Sequence, residues 1–433
     1  MSKPVKGLRI GGYRITPLGL VTLGILLLIL LGVIGVVVFN PFGGADRVAP
    51  EPTPTPTIDP ELITPTPSPT PTPSPTPEPE PRSATIRSLG EIAMQNNLLK
   101  AATTDGENFD FTDMFSYVTE SMGKADFTVA DVEGTLGGTA KISGGDTMIT
   151  PPSLIQTLQD CGVDMLTIAN DHALDGGADE LKGTMTNLKQ AGMDYIGGAL
   201  SADEKKQPVI KNINGINVAF LAYTDSLNGK EKKNKDLLKF GINLVTKSDP
   251  TNDIKAAREA GADIVVVYMS WGKMLKRDIT DDQKKIGKVL IKAGADVIIG
   301  YGPHVVQPAM WVDAPADKEG NVHRTLVVCA TGNFLSDQRD QYADSGMIFE
   351  FTIQETGSAT GLYTITNPTY IPTYVWRAQG ETDNYVYHTM AVGQWLEEQP
   401  EGMSYGTDVT RMREVWAEVQ SVMGTDVATV AAE

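Results

Sequence analysis

Residues 18–39 read LGLVTLGILLLILLGVIGVVVF, 22 residues without a charge and with a single Thr. As a helix rising ~1.5 Å per residue this run is ~33 Å long and matches a hydrocarbon core of ~30 Å. A cleaved leader is the competing reading, but its apolar stretch spans only ~7–15 residues and ends in an A-x-A site, which does not follow here. The run therefore reads as a transmembrane helix. Lys3, Lys6, Arg9 and Arg14 precede it with no acid among them, whereas Asp46, Arg47 and Glu51 follow. The positive-inside rule then keeps residues 1–17 in the cytoplasm and sends the rest of the chain outside as a single-pass protein of the cell membrane. One helix cannot line a pore, and an arm of about 17 residues is too short for an output domain. A sensor or transport subunit has no further support.

Residues 40–82 form a linker whose Pro50–Pro81 stretch is a Thr-Pro and Ser-Pro array. Proline removes backbone donors and biases its neighbours to extended geometry, so this spacer can reach on the order of 100 Å from the bilayer. Its hydroxyls are compositionally suited to O-glycosylation. The chain carries 36 Lys+Arg against 54 Asp+Glu, a net charge of −18. With the four cytoplasmic cations set aside, the external part is more acidic still. No basic field exists to hold a phosphate backbone, and no nucleic acid is expected as a partner. Two Cys and four His, without C-x-x-C or H-x-x-x-H spacing, exclude a disulfide scaffold and a structural zinc site.

From residue 83 to about 392, short β-branched runs alternate with helix-like stretches: DFTVADVE, PPSLIQTLQDCG, DMLTIAN, ADELKGTMTNLKQAG, NVAFLAYT, NDIKAAREAG, ADIVVVYMS, DDQKKIGKVLIKAG, ADVIIGYG and TLVVCATGNF. Helices closing in Ala-Gly or Cys-Gly before buried strands give an α/β order. No repeat of 20–50 residues points to a solenoid. Residues 393–433 form a tail in which Val409, Met412, Val415, Trp416, Val419 and Met423 follow helical spacing, so an amphipathic helix should pack on the domain or on a second copy. Cys161 and Cys329 lie in core-like surroundings and read as buried free thiols, although an external disulfide is allowed.

In α/β proteins functional groups gather beyond the carboxyl ends of strands, where loops converge on one rim. Those ends carry Glu91, Asp131, Glu133, Asn170, Asp171, His172, Ser270, Trp271, Tyr301, His304 and Asn333. An acid beside Gly is commonly a cap or turn residue, and one His after a strand is commonly structural. Two of only four histidines, His172 in N-D-H and His304 in G-P-H, fall at such ends, which favours a shared site. His323 and His388 match no motif and read as surface or structural.

The strings TIANDHALDGGADELKGTMTNLKQAGMDYIGGA, SWGKM, QKKIGKVLIKAGADVIIGYGPHVVQP and ATGNFLSDQ resemble the bacterial capsule-synthesis CapA (poly-γ-glutamate capsule) family over about residues 85–375. The resemblance implies a metallophosphoesterase-like sandwich of mixed β-sheets covered by helices, with a metal centre at the loop rim, attached to the membrane and acting at the cell surface. Departures accompany it: Gly90-Glu91 and Gln95 stand for Gly-Asp and a following His, Asp131-Val132-Glu133 for Asn-Leu-Glu, and Asn170-Asp171-His172 for Asn-Asn-His. Ser270-Trp271-Gly272 stands for His-Trp-Gly, and Gly300-Tyr301-Gly302-Pro303-His304 for Gly-His-His-Pro-His.

Carried over residue by residue, the resemblance makes Glu91, Asp131, Glu133, Asp171 and His304 metal ligands, His172 the general acid or base and Asn170 an orienting or oxyanion group; by their place at strand ends Ser270, Trp271, Tyr301 and Asn333 read as a substrate rim, with Trp271 and Tyr301 equally readable as rim packing. A two-metal hydrolase needs several imidazoles and carboxylates to clamp ions ~3.5–4 Å apart. The oxygen-rich set left here suits one Mn²⁺, Mg²⁺ or Ca²⁺ better than a pair of softer ions. Two functions stay open: a metal-assisted hydrolase or amide ligase or transferase of the cell surface acting on poly-γ-glutamate, peptidoglycan peptide or a phosphoester, with an anionic polymer or peptide as substrate, and a binding or scaffolding subunit that has lost the chemistry. Either implies surface-polymer synthesis proteins as partners.

Overall fold

The computed structural model describes Arg9–Ile10, Tyr13–Arg14 and residues 80–430, apart from 317–319, 321, 381–383, 401, 405 and 425–426. The apolar run 18–39 and nearly all of the Pro-rich linker lie outside these residues. Among the described residues, no helix is long and apolar enough to cross a membrane. The chain divides into two compact units, 1–75 and 76–433. In the first, Arg9–Ile10 pairs antiparallel with Tyr13–Arg14.

The second unit is built on two mixed sheets. The strands of the first are β1 (Ser83–Ile92), β2 (Phe127–Val132), β3 (Met165–Thr167) and β4 (Asp194–Ile196), all parallel, continued on the other side of β1 by the antiparallel β12 (Ser345–Glu355), β13 (Tyr363–Gln379) and β14 (Tyr385–Ala391). The order is β14-β13-β12-β1-β2-β3-β4, with β11 (Asn333–Leu335) on β1 and β15 (Ala428–Thr429) on β13. The second sheet runs β5-β6-β7-β8-β10-β9, from β5 (Val209–Ile213), β6 (Ile216–Thr224), β7 (Ile264–Ser270), β8 (Val297–Tyr301), β9 (Val306–Asp313) and β10 (Arg324–Thr331). Here β6, β7, β8 and β10 are parallel, and β5 and β9 are antiparallel edges.

The unbroken apolar runs of β6 and β7 mark strands buried on both faces. Because side chains alternate, Val218, Phe220, Ala222, Val266 and Tyr268 join the core shared with the first sheet. Ala219, Tyr223, Val265, Val267 and Met269 instead meet Ile254 and Ala257 of α4 (Pro250–Glu259) and Leu290 and Ile291 of α5 (Asp281–Ala293). Phe127 of β2 stacks on Phe220 of β6 with centroids 5.1 Å apart, and Ser88 and Tyr268 share a 3.0 Å hydrogen bond from sheet to sheet. Each large apolar side chain fully buried here, such as Phe220 or Val266, contributes roughly 1.5–3 kcal/mol relative to exposure. The result is a two-sheet sandwich flanked by helices.

Helix boundaries follow their chemistry. Thr280 and Gln283 form a capping box at the start of α5, and Gly294, at φ +96°, ends it in a left-handed turn. Of the earlier helices α1 (Asn96–Ala102), α2 (Ser153–Asp160) and α3 (Ala178–Ala191), the last closes likewise at Gly192. The C-terminal helix α6 (Asp408–Met423) buries Val409, Met412, Val415, Val419 and Met423 in the domain core, with Trp416 partly buried against it. Cys161 and Cys329 are buried free thiols. His388 is packed against Trp376 and Tyr117 and bonds the Asp113 carbonyl, while His323 bonds the Ala295 carbonyl, so both are structural.

Candidate metal centre

Parallel pairing in the first sheet sets Glu91 of β1 directly beside Asp131 of β2, and Asp131 beside Thr167 of β3. Glu133 lies just beyond β2, and Asn170, Asp171 and His172 lie on the loop after β3. From the second sheet, the loop after β8 brings Gly302 and His304 to the same rim. Gly302 has φ +106°, and a Cβ there would sit 2.6 Å from the Trp271 carbonyl oxygen, so only glycine lets its N–H reach Glu91 Oε1. His304 itself is left-handed, at φ +59°. That backbone costs of order 1–3 kcal/mol and persists where its surroundings over-determine it. Here Asn333 Oδ1 lies 3.2 Å from its Nδ1, and Leu275 N–H bonds the neighbouring Pro303 carbonyl.

Glu133, Asp171 and His172 each offer a ligand atom within 4.8 Å of the others. His172 Nε2 lies 3.6 Å from Glu133 Oε1 and 4.0 Å from Asp171 Oδ2, and His304 Nε2 is also 3.6 Å from Glu133 Oε1. With bonds of ~2.1 Å, atoms 3.6–4.0 Å apart subtend about 120–145° at a shared ion, which is open but attainable coordination geometry. The other nitrogen of His172 donates to Asp175 Oδ2 at 2.6 Å. Asp175 is held in place by the Met148 N–H at 2.6 Å and by Lys230 on its second oxygen. Burial opposes ionisation of Asp175, but His172, Lys230 and the Met148 N–H prevail and hold its carboxyl below the usual range. An ionised Asp175 accepts only, so it fixes the proton on Nδ1 and leaves the Nε2 lone pair turned toward Glu133 and Asp171.

The site holds excess acid at low exposure. Burial, with Glu91 and Asp171 adding to it against His304 and His172, pushes Glu133 up to about 7. Asp131 is raised well above its ordinary value by burial and by Glu91, although Thr167 donates to it. Burial works against the charged form of His172, yet Asp175, Glu133 and Asp171 raise it; His304 is raised in the same way by Glu91 and Glu133. Buried acids beside imidazoles form an arrangement that a divalent cation relieves by displacing protons. One atom reinforces the fit: Glu91 Oε2 is buried 2.9 Å from His304 Nδ1, but misaligned, and has no hydrogen-bond partner among the described residues.

The protein-family model described as "Bacterial capsule synthesis protein PGA_cap" matches residues 85–338. The chain belongs to this family. The matched span contains every candidate residue from Glu91 to Asn333 and ends before β12. Among curated relatives, the "PGA biosynthesis protein CapA" of Bacillus subtilis (strain 168) is 27% identical over 287 residues, 64% of this chain and 69% of the relative. The "Capsule biosynthesis protein CapA" of Bacillus anthracis is 28% identical over 208 residues, 47% of this chain and 48% of the relative. Among solved structures, the calcineurin-like phosphoesterase YfkN from Bacillus subtilis aligns with a TM-score of 0.40 and 14% identity over 79% of this chain and 99% of that one, a likeness too weak to carry an argument.

Within this PGA_cap domain the rim residues differ from the expectation of a substrate-facing surface. Trp271 is buried on the helix-covered face, where its indole donates to the Cys329 carbonyl at 2.8 Å, because Gly300 leaves the passage open across β8. Tyr301 is buried in the core between the sheets, stacked on Tyr268, and Ser270 is buried at the end of β7. Asn333 is buried and positions His304, its amide donating to Gln338 and the Ala343 carbonyl. Asn170 accepts from the Gly134 and His172 N–H groups and donates to the Val132 carbonyl, so its amide ties the two ligand-bearing loops together. Glu91 and Asp131 lie beside the Glu133–Asp171–His172 cluster and outside that three-residue group.

Sequence reasoning missed Asp175, Lys230, Asn228 and Asp225. Asn228 bonds Asp171 at 3.0 Å, and Asp225 accepts the Gly272 N–H at 3.2 Å while burial pushes it up to about 6. Asp175 could have been found three residues after His172; its LDGG setting reads as a turn.

Proposed function

We propose that this chain works in capsule or poly-γ-glutamate biosynthesis, anchored through residues 18–39 with its domain outside the cell, and that Glu133, Asp171 and His172, joined by His304, hold one divalent cation. Family membership and the two CapA relatives support the biological role. The observation that carries the chemistry is the approach of these ligand atoms around His172, whose far nitrogen is fixed by Asp175. Two carboxylates with one or two imidazoles suit Mn²⁺ better than Mg²⁺ or Ca²⁺. When bound, such an ion polarises a carbonyl or phosphoryl oxygen and acidifies a water. The chain's own groups then divide the work: Glu133, whose carboxyl burial pushes up to about 7 before an ion binds, gives up its proton to become a ligand, and Asp131, raised by burial and by Glu91, stands two residues before it on β2. The reaction class is hydrolysis or amide transfer on an anionic polymer or peptide.

A second reading has its own support. Glu91 is occupied by the Gly302 N–H and faces His304, which favours one ion over two and allows a scaffolding member with weakened chemistry. The deciding measurement is metal stoichiometry of the purified protein after loading with Mn²⁺, Mg²⁺, Zn²⁺ or Ca²⁺, with His172→Ala alongside. Close to one ion per chain, lost in the variant, is expected. Background occupancy in both proteins would leave the scaffold.

A further inference from the structure

The segment Asn228–Lys247 departs from the acidic character of the chain. It carries Lys230, Lys232, Lys233, Lys235, Lys239 and Lys247, and folds into two short 3-10 turns, Lys230–Lys233 and Leu237–Lys239. These turns border a groove of about 740 Å³. Lys232, Lys235, Lys239 and Lys247 line it, all exposed. Lys239 is paired with exposed Asp236 at 2.8 Å, whereas Lys232, Lys235 and Lys247 have no ion-pair partner among the described residues. The acids on the lining are Glu231 and Asp225.

The segment that lines the groove also touches the metal-type centre. Asp225 lines the groove, and its carboxylate also accepts the Gly272 N–H on the loop after β7. From the same segment, Lys230 reaches Asp175 behind His172, and Asn228 binds Asp171. A chain lying in the groove would therefore lie on the segment whose Asn228 and Lys230 contact the cluster.

The lining also constrains the ligand. Leu227, Leu238 and Leu244 give the groove an apolar floor between ammonium walls. That alternation suits a polymer in which methylene pairs alternate along the chain with carboxylates, the methylenes resting on leucine while the carboxylates meet lysine. Ammonium groups act as point charges, and no arginine is present among the lining residues to grip phosphate in a bidentate fork. A polyol phosphate chain, without apolar stems, would leave the leucines uncovered.

We infer that this lysine-walled groove is a subsite for a polycarboxylate chain, feeding it to the neighbouring acid and histidine cluster. The inference rests on the proposed role of that cluster and adds where and by which residues the polymer is held. It is tested by fluorescence anisotropy with the full-length protein and a labelled oligo-γ-glutamate, titrated from low to high salt, with an oligophosphate of equal charge as comparison. The variants are Lys232→Gln/Lys235→Gln/Lys239→Gln/Lys247→Gln and the corresponding fourfold Arg replacement.

The glutamine variant should bind about 30-fold more weakly at low salt and lose most of its salt dependence, as expected for four exposed charge contacts acting together. The arginine variant should stay within about threefold of wild type, since net charge is kept. Binding by the glutamine variant within twofold of wild type, or no binding by wild type, would overturn the groove, as would tighter binding of the oligophosphate. These results are separable from the metal reading: the four lysines are not ligands, so ion stoichiometry should be normal in both variants. A protein that binds ion but not polymer refutes the groove alone.

Discussion

Asp175→Asn isolates the device that aims His172. The Asp175 side chain is fully buried, and three donors converge on it: the Met148 N–H and His172 Nδ1 on one oxygen, Lys230 on the other. Asparagine has the same shape. With its carbonyl oxygen in place of Oδ2, the bonds to Met148 and His172 survive and the new amide faces Lys230, which is 30% exposed and free to turn into water. The fold should persist, while the charge that makes His172 a better ligand is gone. Removing such an outer partner typically costs 10–100-fold in metal affinity, about 1.4–2.7 kcal/mol.

Mn²⁺ titration calorimetry at pH 7.5 measures that loss, and NMR titration of the His172 ring reports its basicity, which should fall. The sign follows from linkage. A histidine raised above its ordinary value contributes stability that is fully present below the unfolded value and lost as pH rises through the folded one. The stability difference between wild type and variant should thus narrow above neutrality. Affinity within twofold of wild type together with an unchanged His172 titration would refute the argument that Asp175 aims and activates the ligand.

Without divalent cation, stability should fall as pH rises from about 4 to 7, because folded Glu133 (about 7) and Asp225 (about 6) keep protons that the unfolded chain has released; thermal melts across that range check it, and added Mn²⁺ should restore stability at the upper end. Gly300→Ala would put a methyl 1.9 Å from the Cys329 carbonyl oxygen and 2.5 Å from the Trp271 indole nitrogen, so a loss at or above the ~1–3 kcal/mol of overpacking is expected in urea melts. Phe220→Ala removes the partner of Phe127 between the sheets and should cost about 3–5 kcal/mol at an unchanged denaturant slope.

Much of the architecture is local and was legible. The doubly buried strands β6, β7 and β8 announce themselves as apolar runs, and the glycine-ended helices α3 and α5 by period and cap, because these signals are set by neighbours in the chain. The antiparallel layer β12-β13-β14 was not legible as such: β12 lies beside β1 across more than 250 residues, a pairing fixed by the shared core and by no local pattern.

By itself, the sequence determined that acids, amides and histidines stand at successive strand ends, since strand termination is a short-range property. Only the tertiary structure decided which of them meet. The loop after β3 brings Asp171 and His172 to Glu133, whereas Gly302 and His304, from the other sheet, engage Glu91. It also turned Trp271 and Asn333 inward and recruited Asp175 and Lys230 behind His172. The physical reason is that directions of approach depend on how two twisted sheets pack, and a side chain's hydrogen-bond partner there can lie 200 residues away, as Gly302 does from Glu91.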